Sequence, residues 1–523
     1  VSTTTPESSA PQTSAPADDD KLDKSVLIVA GVVVLGAIMS ILDITVVSVA
    51  LETFQNEFDA TSAQVAWTMT GYTLALASVI PLTGWAADRF GTKRLYLIAV
   101  TLFTAGSVLC ATATGLDQLV IYRVLQGLGG GMLMPLGMTI LTRAAGPHRV
   151  GRVMAILGIP MLLGPIFGPI LGGWLIDAAS WHWIFLINLP IGILAFVYAF
   201  VVLPKDHVEP SESFDWLGMV LLSPGLAAFL YGVSSIPEAG TVWDGEVLIP
   251  AIIGTLLIIA FVPWALAGKN IHPLVELRLF QNRQMTIAVI AMALFAIAFF
   301  GASLLFPLYF QQVRGETALK AGLLLAPQGI GAMVTMPIAG FIADKRGPGK
   351  VVMVGIALVT IGMAMFTQLG EDTSYLFIMG SLFVMGLGMG STMMPIMSSA
   401  LATLTDHNIA RGSTLMNITQ QVAASIGTAL FSVVLTNQIK KHDEAGMYLG
   451  LKGALSQATG EQAAQLQKQL DALAPTALPL LADSFATVFI VGTILVGCVL
   501  VPAFLLPRKP PEKPVDPTAM VGH

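Results

Sequence analysis

Stretches of about 20 apolar residues recur along this chain almost from end to end, each long enough to cross roughly 30 Å of hydrocarbon as a helix. A bilayer offers backbone amides and carbonyls no partner, so such stretches must form helices or a closed barrel, and their length selects helices. Hydrophobic residues make up 55% of the chain and charged residues 11%, against about 25% charged in soluble domains. The 523 residues would otherwise suggest several soluble domains. No enzymatic domain has room between the apolar runs.

Apolar runs broken by polar turns predict fourteen spans: 26–51, 65–86, 95–114, 118–142, 152–176, 183–203, 216–235, 247–267, 286–311, 320–343, 351–370, 374–402, 412–437 and 484–506. With the N-terminus in the cytoplasm, the cations fall on alternate segments: Lys21 and Lys24; Arg89, Lys93 and Arg94; Arg143, Arg149 and Arg152; Lys205; Lys269, Arg278 and Arg283; Lys345, Arg346 and Lys350; Arg411; Arg508, Lys509 and Lys513. The other side carries only Arg314, Lys320 and four lysines in one long segment, whose length exempts it from the positive-inside rule. Both termini are therefore expected inside.

Residues 1–25, rich in Ser, Thr, Pro and Ala with an acidic run Asp18–Asp20, read as a disordered cytoplasmic tail. They do not read as a cleavable signal, because the apolar segment that follows is long enough to span. Residues 507–523 form a second cytoplasmic tail, and 438–482 one extracellular loop, read as a solvated connector in which Gly460–Leu473 has helix-forming composition. Cys110 and Cys498 both sit inside apolar runs, which gives neither a disulfide nor a metal site, and nothing calls for a cofactor.

The turn after the second span reads Gly84-Trp-Ala-Ala-Asp88-Arg89-Phe-Gly91-Thr-Lys93, and the turn after the tenth reads Gly340-Phe-Ile-Ala-Asp344-Lys345-Arg-Gly347-Pro-Gly-Lys350. A second echo links Gly127–Pro135 in span 4 to Gly386–Pro395 in span 12. Both map a span onto the eighth span after it. The expected division is a six-helix half over 26–203, two inserted helices with flanking loops over 204–283, and a second six-helix half over 284–506. Two such halves with a binding site near the midplane between them is the plan of a secondary transporter.

These turns resemble the span 2–3 signature of the major facilitator superfamily. Gly164-Pro165-x-x-Gly168-Pro169-x-x-Gly172-Gly173 in span 5 resembles that superfamily's antiporter signature, and Arg123-x-x-Gln126-Gly127 its span 4 signature. Leu42-Asp43-Ile-Thr45 through Leu51 resembles the span 1 mark of its fourteen-spanning drug:proton antiporters, with Ser48 and Glu52 as departures from the usual Asn and Pro. The resemblance implies an all-α integral membrane protein with the major facilitator fold, in a bacterial plasma membrane, with spans 1 and 4 adjoining at the centre. It also implies that the span 5 strip seals the path between halves, a feature associated with export.

Asp43 and Arg123 are the clearly intramembrane charges. Each costs about 2.5–3.5 kcal/mol at a helix centre, so such residues pair or face a cavity. Their depths, roughly 10 and 8 Å from the outer ends of spans 1 and 4, let them meet if the helices adjoin. The expected role of Asp43 is proton coupling: ionised beside Arg123, it takes a proton when separated and desolvated. A static ion pair locking two helices is the alternative. Met39 shares the Asp43 face of span 1, and Met134 the Arg123 face of span 4. Gln126 follows Arg123, Gln328 lies in span 10, and Asn417 and Gln421 sit on one polar arc of span 13. These six are the candidate walls of a substrate cavity. The methionines of span 12 read equally well as lipid-facing filler.

Gly164, Gly168 and Gly172 form a flat strip for close helix packing, while Pro165 and Pro169 favour a kink. Asp88 reads as a gate latch facing the N-terminus of span 13, worth about 0.3–2 kcal/mol, with Asp344 as its weaker counterpart. The expected activity is proton-coupled efflux of amphipathic, cationic organic compounds by alternating access. Its partners are that substrate, protons and membrane lipid, with no nucleic acid; nothing in the sequence specifies an envelope partner protein. A dedicated exporter of a native lipid, siderophore or metabolite, a solute:proton importer and a polytopic membrane enzyme remain as alternatives. The enzyme reading lacks the clustered Asp, Glu, His or Lys that it would need at one membrane face.

Overall fold

A computed structural model describes residues 23–146, 149–206, 213–239, 241–268, 270, 272–455 and 460–509, apart from a few side chains that include those of Glu52, Pro165 and Pro169. The expected tails lie outside the described residues except at 23–25 and 507–509, and the kink assigned to Pro165 and Pro169 rests on side chains that are also outside them.

The spanning helices are α1 Lys24–Val49, α2 Ser62–Phe90, α3 Thr92–Ala111, α4 Leu116–Ala145, α5 Val150–Ala178, α6 Trp183–Val202 and α7 Trp216–Ser234. They continue as α8 Gly245–Leu266, α9 Arg283–Gln312, α10 Leu319–Arg346, α11 Pro348–Gln368, α12 Tyr375–Leu401, α13 Asp406–Ile439 and α14 Glu461–Phe504. Thirteen have a window apolar enough to cross a membrane, and α5, with 29 residues and an apolar composition, is the fourteenth. An even number of crossings puts both termini at one end of the bundle, called proximal below; the other end is distal.

Helix contacts repeat with the sequence. In the first half α1 packs on α4, α5 and α6, α4 on α2 and α3, and α3 on α6; in the second half α9 packs on α12, α13 and α14, α12 on α10 and α11, and α11 on α14. Each contact of the first half thus reappears eight helices on. The halves meet through α2 and α4 against α13, and through α5 against α10 and α12. The inserted pair packs on itself, with α7 also touching α2 and α13, while α8 turns Ile249, Leu256 and Ile259 outward as a lipid-facing stripe.

Both signature turns require glycine. Gly91 (φ 88°) and Gly347 (φ 83°) adopt the left-handed region at corresponding places, where a β-carbon is strained. Each turn is held by the segment that follows the sixth helix of its own half. Asp206 accepts the N–H groups of Lys93 (2.7 Å) and Arg94 (3.1 Å), capping α3, and Lys93 Nζ donates to the Leu203 carbonyl at 2.7 Å. In the second half the Pro507 carbonyl accepts from Gly349 N at 2.9 Å.

Within 438–482, expected as a solvated connector, Asp443–Leu455 is a helix, and Gly460–Leu473, which has helix-forming composition, lies almost wholly within the continuous helix Glu461–Cys498. That helix has 38 residues, about 57 Å at 1.5 Å per residue, so its first turns project past the membrane. The Asp443–Leu455 helix packs against them, with Ala445 and Ala477 both buried. The polar composition there marks a helix end standing in water, not a chain without structure.

Candidate functional site

The interior of the first half is built around a glycine-lined face. On α1, Gly36, Met39, Ser40, Asp43 and Val47 are all buried, as is Ala50 just past its end. On α4, Gly127 and Gly130 leave the space that Tyr72 of α2 fills; a β-carbon at Gly130 would stand 2.5 Å from its hydroxyl. Tyr72 in turn presents its ring to the Arg123 guanidinium, 4.2 Å from the centroid.

Arg123 Nη1 donates to Asp43 Oδ2 at 2.5 Å, and their side chains are 1% and 0% exposed. Arg123 Nη1 also donates to Gln126 Oε1 (2.7 Å), and Nε to the Thr68 carbonyl (3.0 Å). The other carboxylate oxygen, Asp43 Oδ1, accepts from Gln126 Nε2 (2.7 Å) and Asn188 Nδ2 (3.2 Å). Ser107 Oγ accepts from the same two amides at 2.6 and 2.9 Å. Five helices, α1, α2, α3, α4 and α6, thus converge on one carboxylate. Every member is buried, as a charge at this depth requires.

Asn188, Ser107 and Tyr72 are absent from the sequence reading. Asn188 carried a usable signal, an amide inside an apolar run. Ser107 and Tyr72 carried none, since a lone Ser or Tyr in a span usually needs no partner beyond its own helix or the interface.

The proposed cavity residues separate into two groups. Met39 and Gln126 are closed off from any cavity in this state, Gln126 because both ends of its amide are committed to the Asp43 network. Met134, Gln328, Asn417 and Gln421 remain partly exposed. Asn417 Nδ2 reaches across the halves to Met138 Sδ (3.0 Å) while donating to the Ser413 carbonyl (2.8 Å). Gln421 borders a crevice shared with Ala77, Ile80, Leu226 and Leu230, so it faces the inserted helix α7 as well as α2. The span 12 methionines are not lipid-facing: Met385, Met389, Met393, Met394 and Met397 are all buried, and Met394 packs with Met336 over Gly158 of α5.

The glycine strip of α5 packs within its own half. Gly164 lies against Ile41, Gly168 against Thr45 and Gly172 against Val46, so the strip seats α5 on the helix that carries Asp43. Gly173 is off the strip, with open space where a β-carbon would be.

At the proximal end the two signature carboxylates cross between halves. Asp344 accepts the N–H groups of Gly151 (2.8 Å) and Arg152 (3.2 Å) at the start of α5, and Arg152 Nε at 3.1 Å. Gly340 lets the helices close there, since a β-carbon would be 2.6 Å from the Gly151 carbonyl. Among the bonds described, Asp88 meets two arginine side chains. Its Oδ2 accepts from Arg411 Nε and its Oδ1 from Arg143 Nη2, both at 3.4 Å. Helix α13 begins at Asp406, more than a turn before Arg411, so its free amides lie elsewhere. Arg411 Nη1 also donates to buried Glu276 (3.3 Å) in the connector after α8, and Gly84 makes room for Arg411 and Thr414. Arg89 stands at the end of α2 beside this cluster in sequence, in the last turn. On α13 every residue from Ile409 to Met416 is buried, whereas Asn417 to Val422 are partly exposed although α2, α4, α7, α9 and α14 surround the helix. The bundle is closed proximally and looser beyond.

Residues 33–428 match the Major Facilitator Superfamily. The chain is 50% identical over 488 residues to the multidrug resistance protein B homolog of Mycobacterium tuberculosis, covering 92% of this chain and 90% of that one. It is 30% identical over 417 residues to the multidrug export protein EmrB of Escherichia coli K12, covering 78% and 80%. Among solved structures, the human organic anion transporter MFSD10 superposes with a TM-score of 0.61 at 14% identity, over 91% of this chain and all of that one. The proton:xylose symporter XylE gives 0.54 at 16% identity, over 91% and 96%. The match in family, the agreement in fold and the fourteen spanning helices lead to one conclusion: the chain belongs to the major facilitator superfamily, in its multidrug efflux branch, and is a membrane transporter, not an enzyme.

Proposed function

We propose that this transporter is a proton-coupled exporter of amphipathic organic cations, working by alternating access with the proximal end in the cytoplasm. The placement of lysine and arginine supports that orientation. The observation that carries the proposal is the fully buried carboxylate of Asp43, both of whose oxygens are held by groups from other helices.

Intramembrane carboxylates of this kind serve proton and substrate pathways. Arg123 keeps the Thr68 carbonyl, Gln126 Oε1 and the face of Tyr72 whether or not Asp43 carries a proton. Protonation removes the counter-charge of Arg123, at a cost of about 3–5 kcal/mol that these neutral acceptors and the Tyr72 ring offset in part. The Asp88–Arg411 and Asp344–Arg152 contacts then form the cytoplasmic gate. With the gate closed, the ionised Asp43 takes up a proton from the distal side; on opening inward it releases that proton and meets the cation. Exchange of one proton for one monovalent cation through a single carboxylate is electroneutral, so the pH gradient drives it.

The test is uphill movement of a permanent organic cation, tetraphenylphosphonium, in proteoliposomes with an imposed pH gradient. Wild type should concentrate the cation and Asp43→Asn should not, with Asp43→Glu retaining part of the activity. Uphill pumping by Asp43→Asn in folded protein would overturn the mechanism.

A further inference from the structure

At the distal end, the first turns of α2, the last turns of α7 and the first turn of α8 line an open cleft of about 250 Å³ that has no part in the Asp43 network. Trp67 and Tyr231 form one wall, stacked with ring centroids 5.5 Å apart and planes 24° apart. Asp244 and Glu246 line the same cleft, with Thr70, Ser234 and Ser235 adding to its polar lining. The Asp244 carboxylate is held in place by accepting the Glu246 N–H at 2.8 Å.

Trp67 also borders a second cavity, of about 350 Å³, whose lining includes Asp117 and Ile121. One half-exposed indole thus has a cleft on either side, each with a carboxylate and neither lined by a lysine or arginine. The sequence extends this asymmetry. In sequence, residues 50–66, 112–117, 177–182 and 235–246, which join spans of the first half and the inserted pair, hold eight Asp or Glu residues and no Lys or Arg. A cleft of one sign with low-dielectric walls concentrates counter-ions, and an aromatic face adds attraction specific to organic cations. Tryptophan and tyrosine also serve as anchors at membrane interfaces, but an anchor needs neither a cleft lined by three helices nor carboxylates in that lining.

We propose that the cleft between α2, α7 and α8 is a second ligand site, for organic monocations of the tertiary or quaternary ammonium class. Trp67 and Tyr231 supply the aromatic contact, and Asp244 and Glu246 the counter-charge. The site gives the inserted helices a role in recognition at the distal mouth, and it does not depend on how Asp43 is coupled.

The test uses the full chain labelled with 5-fluorotryptophan in nanodiscs of phosphatidylglycerol and phosphatidylethanolamine, read by fluorine NMR. With eight tryptophans, the Trp67 resonance is assigned from Trp67→Phe. Titration with benzyltrimethylammonium chloride should shift that resonance saturably. In Asp244→Asn/Glu246→Gln, whose side chains are on the surface, the midpoint should rise about tenfold. The carbon analogue lacking the charge should leave the resonance in place. A resonance that does not move, or that moves equally in the double variant or with the neutral analogue, overturns the proposal. Discs containing phosphatidylcholine separate the two sources of the same chemistry: a lipid headgroup shifts Trp67 before titration, whereas a site for free cations does not respond. Because a single indole is read, loss of pumping in the liposome assay leaves this result untouched, and the converse holds.

Discussion

Asp344 and Arg152 meet across the two halves at 3.1 Å, in the place that Asp88 and Arg411 hold, at 3.4 Å, on the other interface. Each half presents the aspartate of its second helix to an arginine near the start of the fifth helix of the other half. The two contacts are not equal. Asp344 also takes two backbone N–H groups at the start of α5, whereas Asp88 takes only side-chain donors among the bonds described. The second-half carboxylate, expected to be the weaker, has the backbone donors among the bonds described.

Asp344→Asn should open the proximal gate. An amide presents one acceptor where the carboxylate presents two, and its NH₂ group opposes the Gly151 or Arg152 N–H. A loss of about 1–2 kcal/mol is expected, which shifts the inward-open population roughly tenfold. Spin-label distances between the proximal ends of α5 and α10 should show it, with folding unchanged.

Arg411→Ala should cost more than Glu276→Gln. Removing the arginine leaves the buried Asp88 and Glu276 carboxylates without a shared partner, a loss of about 3 kcal/mol or more. Removing one charge of Glu276 leaves Arg411 with Asp88. Thermal unfolding in detergent should rank the two variants, and the Glu276→Arg/Arg411→Glu exchange should recover part of the loss.

Gly168→Leu should abolish transport, because its side chain would occupy the volume of Thr45 at about 1–3 kcal/mol of overpacking and separate α5 from α1. Gly173→Ala should be neutral, since nothing lies where its β-carbon would be. Equal loss in both variants would show that the strip acts by some means other than seating α5 on α1.

Tyr72→Phe should be tolerated and Tyr72→Leu should not. Phenylalanine keeps the ring under Arg123 and gives up only the 3.3 Å contact with Ser40. Leucine removes a buried cation–π contact worth about 2 kcal/mol. Melting temperature and pumping rate should fall together in the leucine variant alone.

Acidification should loosen the distal link between the α9–α10 turn and α12. Lys320 and Tyr375 both donate to Glu316 and hold its carboxyl below the usual value. A lowered value in the folded protein means stabilisation that is complete above the ordinary glutamate value of 4.5 and lost as pH falls through and below it. Hydrogen exchange at the start of α12, followed from about pH 6 to about pH 3, should rise in wild type. It should be flat in Glu316→Gln.

The fold could be read from the sequence because hydrocarbon leaves a chain few options. Apolar run lengths locate the helices, and the paired turns at Asp88 and Asp344 reveal the halves; the contact pattern repeats at the same interval. The centre was half legible. Asp43 and Arg123 are conspicuous as charges in apolar spans, whereas Ser107 and Tyr72 look like any other residue of a membrane helix, and only the fold brings them there. Arg152 and Arg411 are visible in the sequence, where they mark topology. Applying the eight-helix interval to α5 and α13 sets Gly151-Arg152 beside Arg411-Gly412 and would have pointed to their shared role. Glu276 gave no signal, since its partner lies 135 residues away.

Asp206 and the Pro507 carbonyl fasten each signature turn to the half in which it belongs. A body so stapled resists shear inside itself, and strain is directed to the seam, where a few ionic contacts must part together. In the alternating-access motion proposed above, the halves would tilt as two plates, with Asp88 and Asp344 as the catches between them.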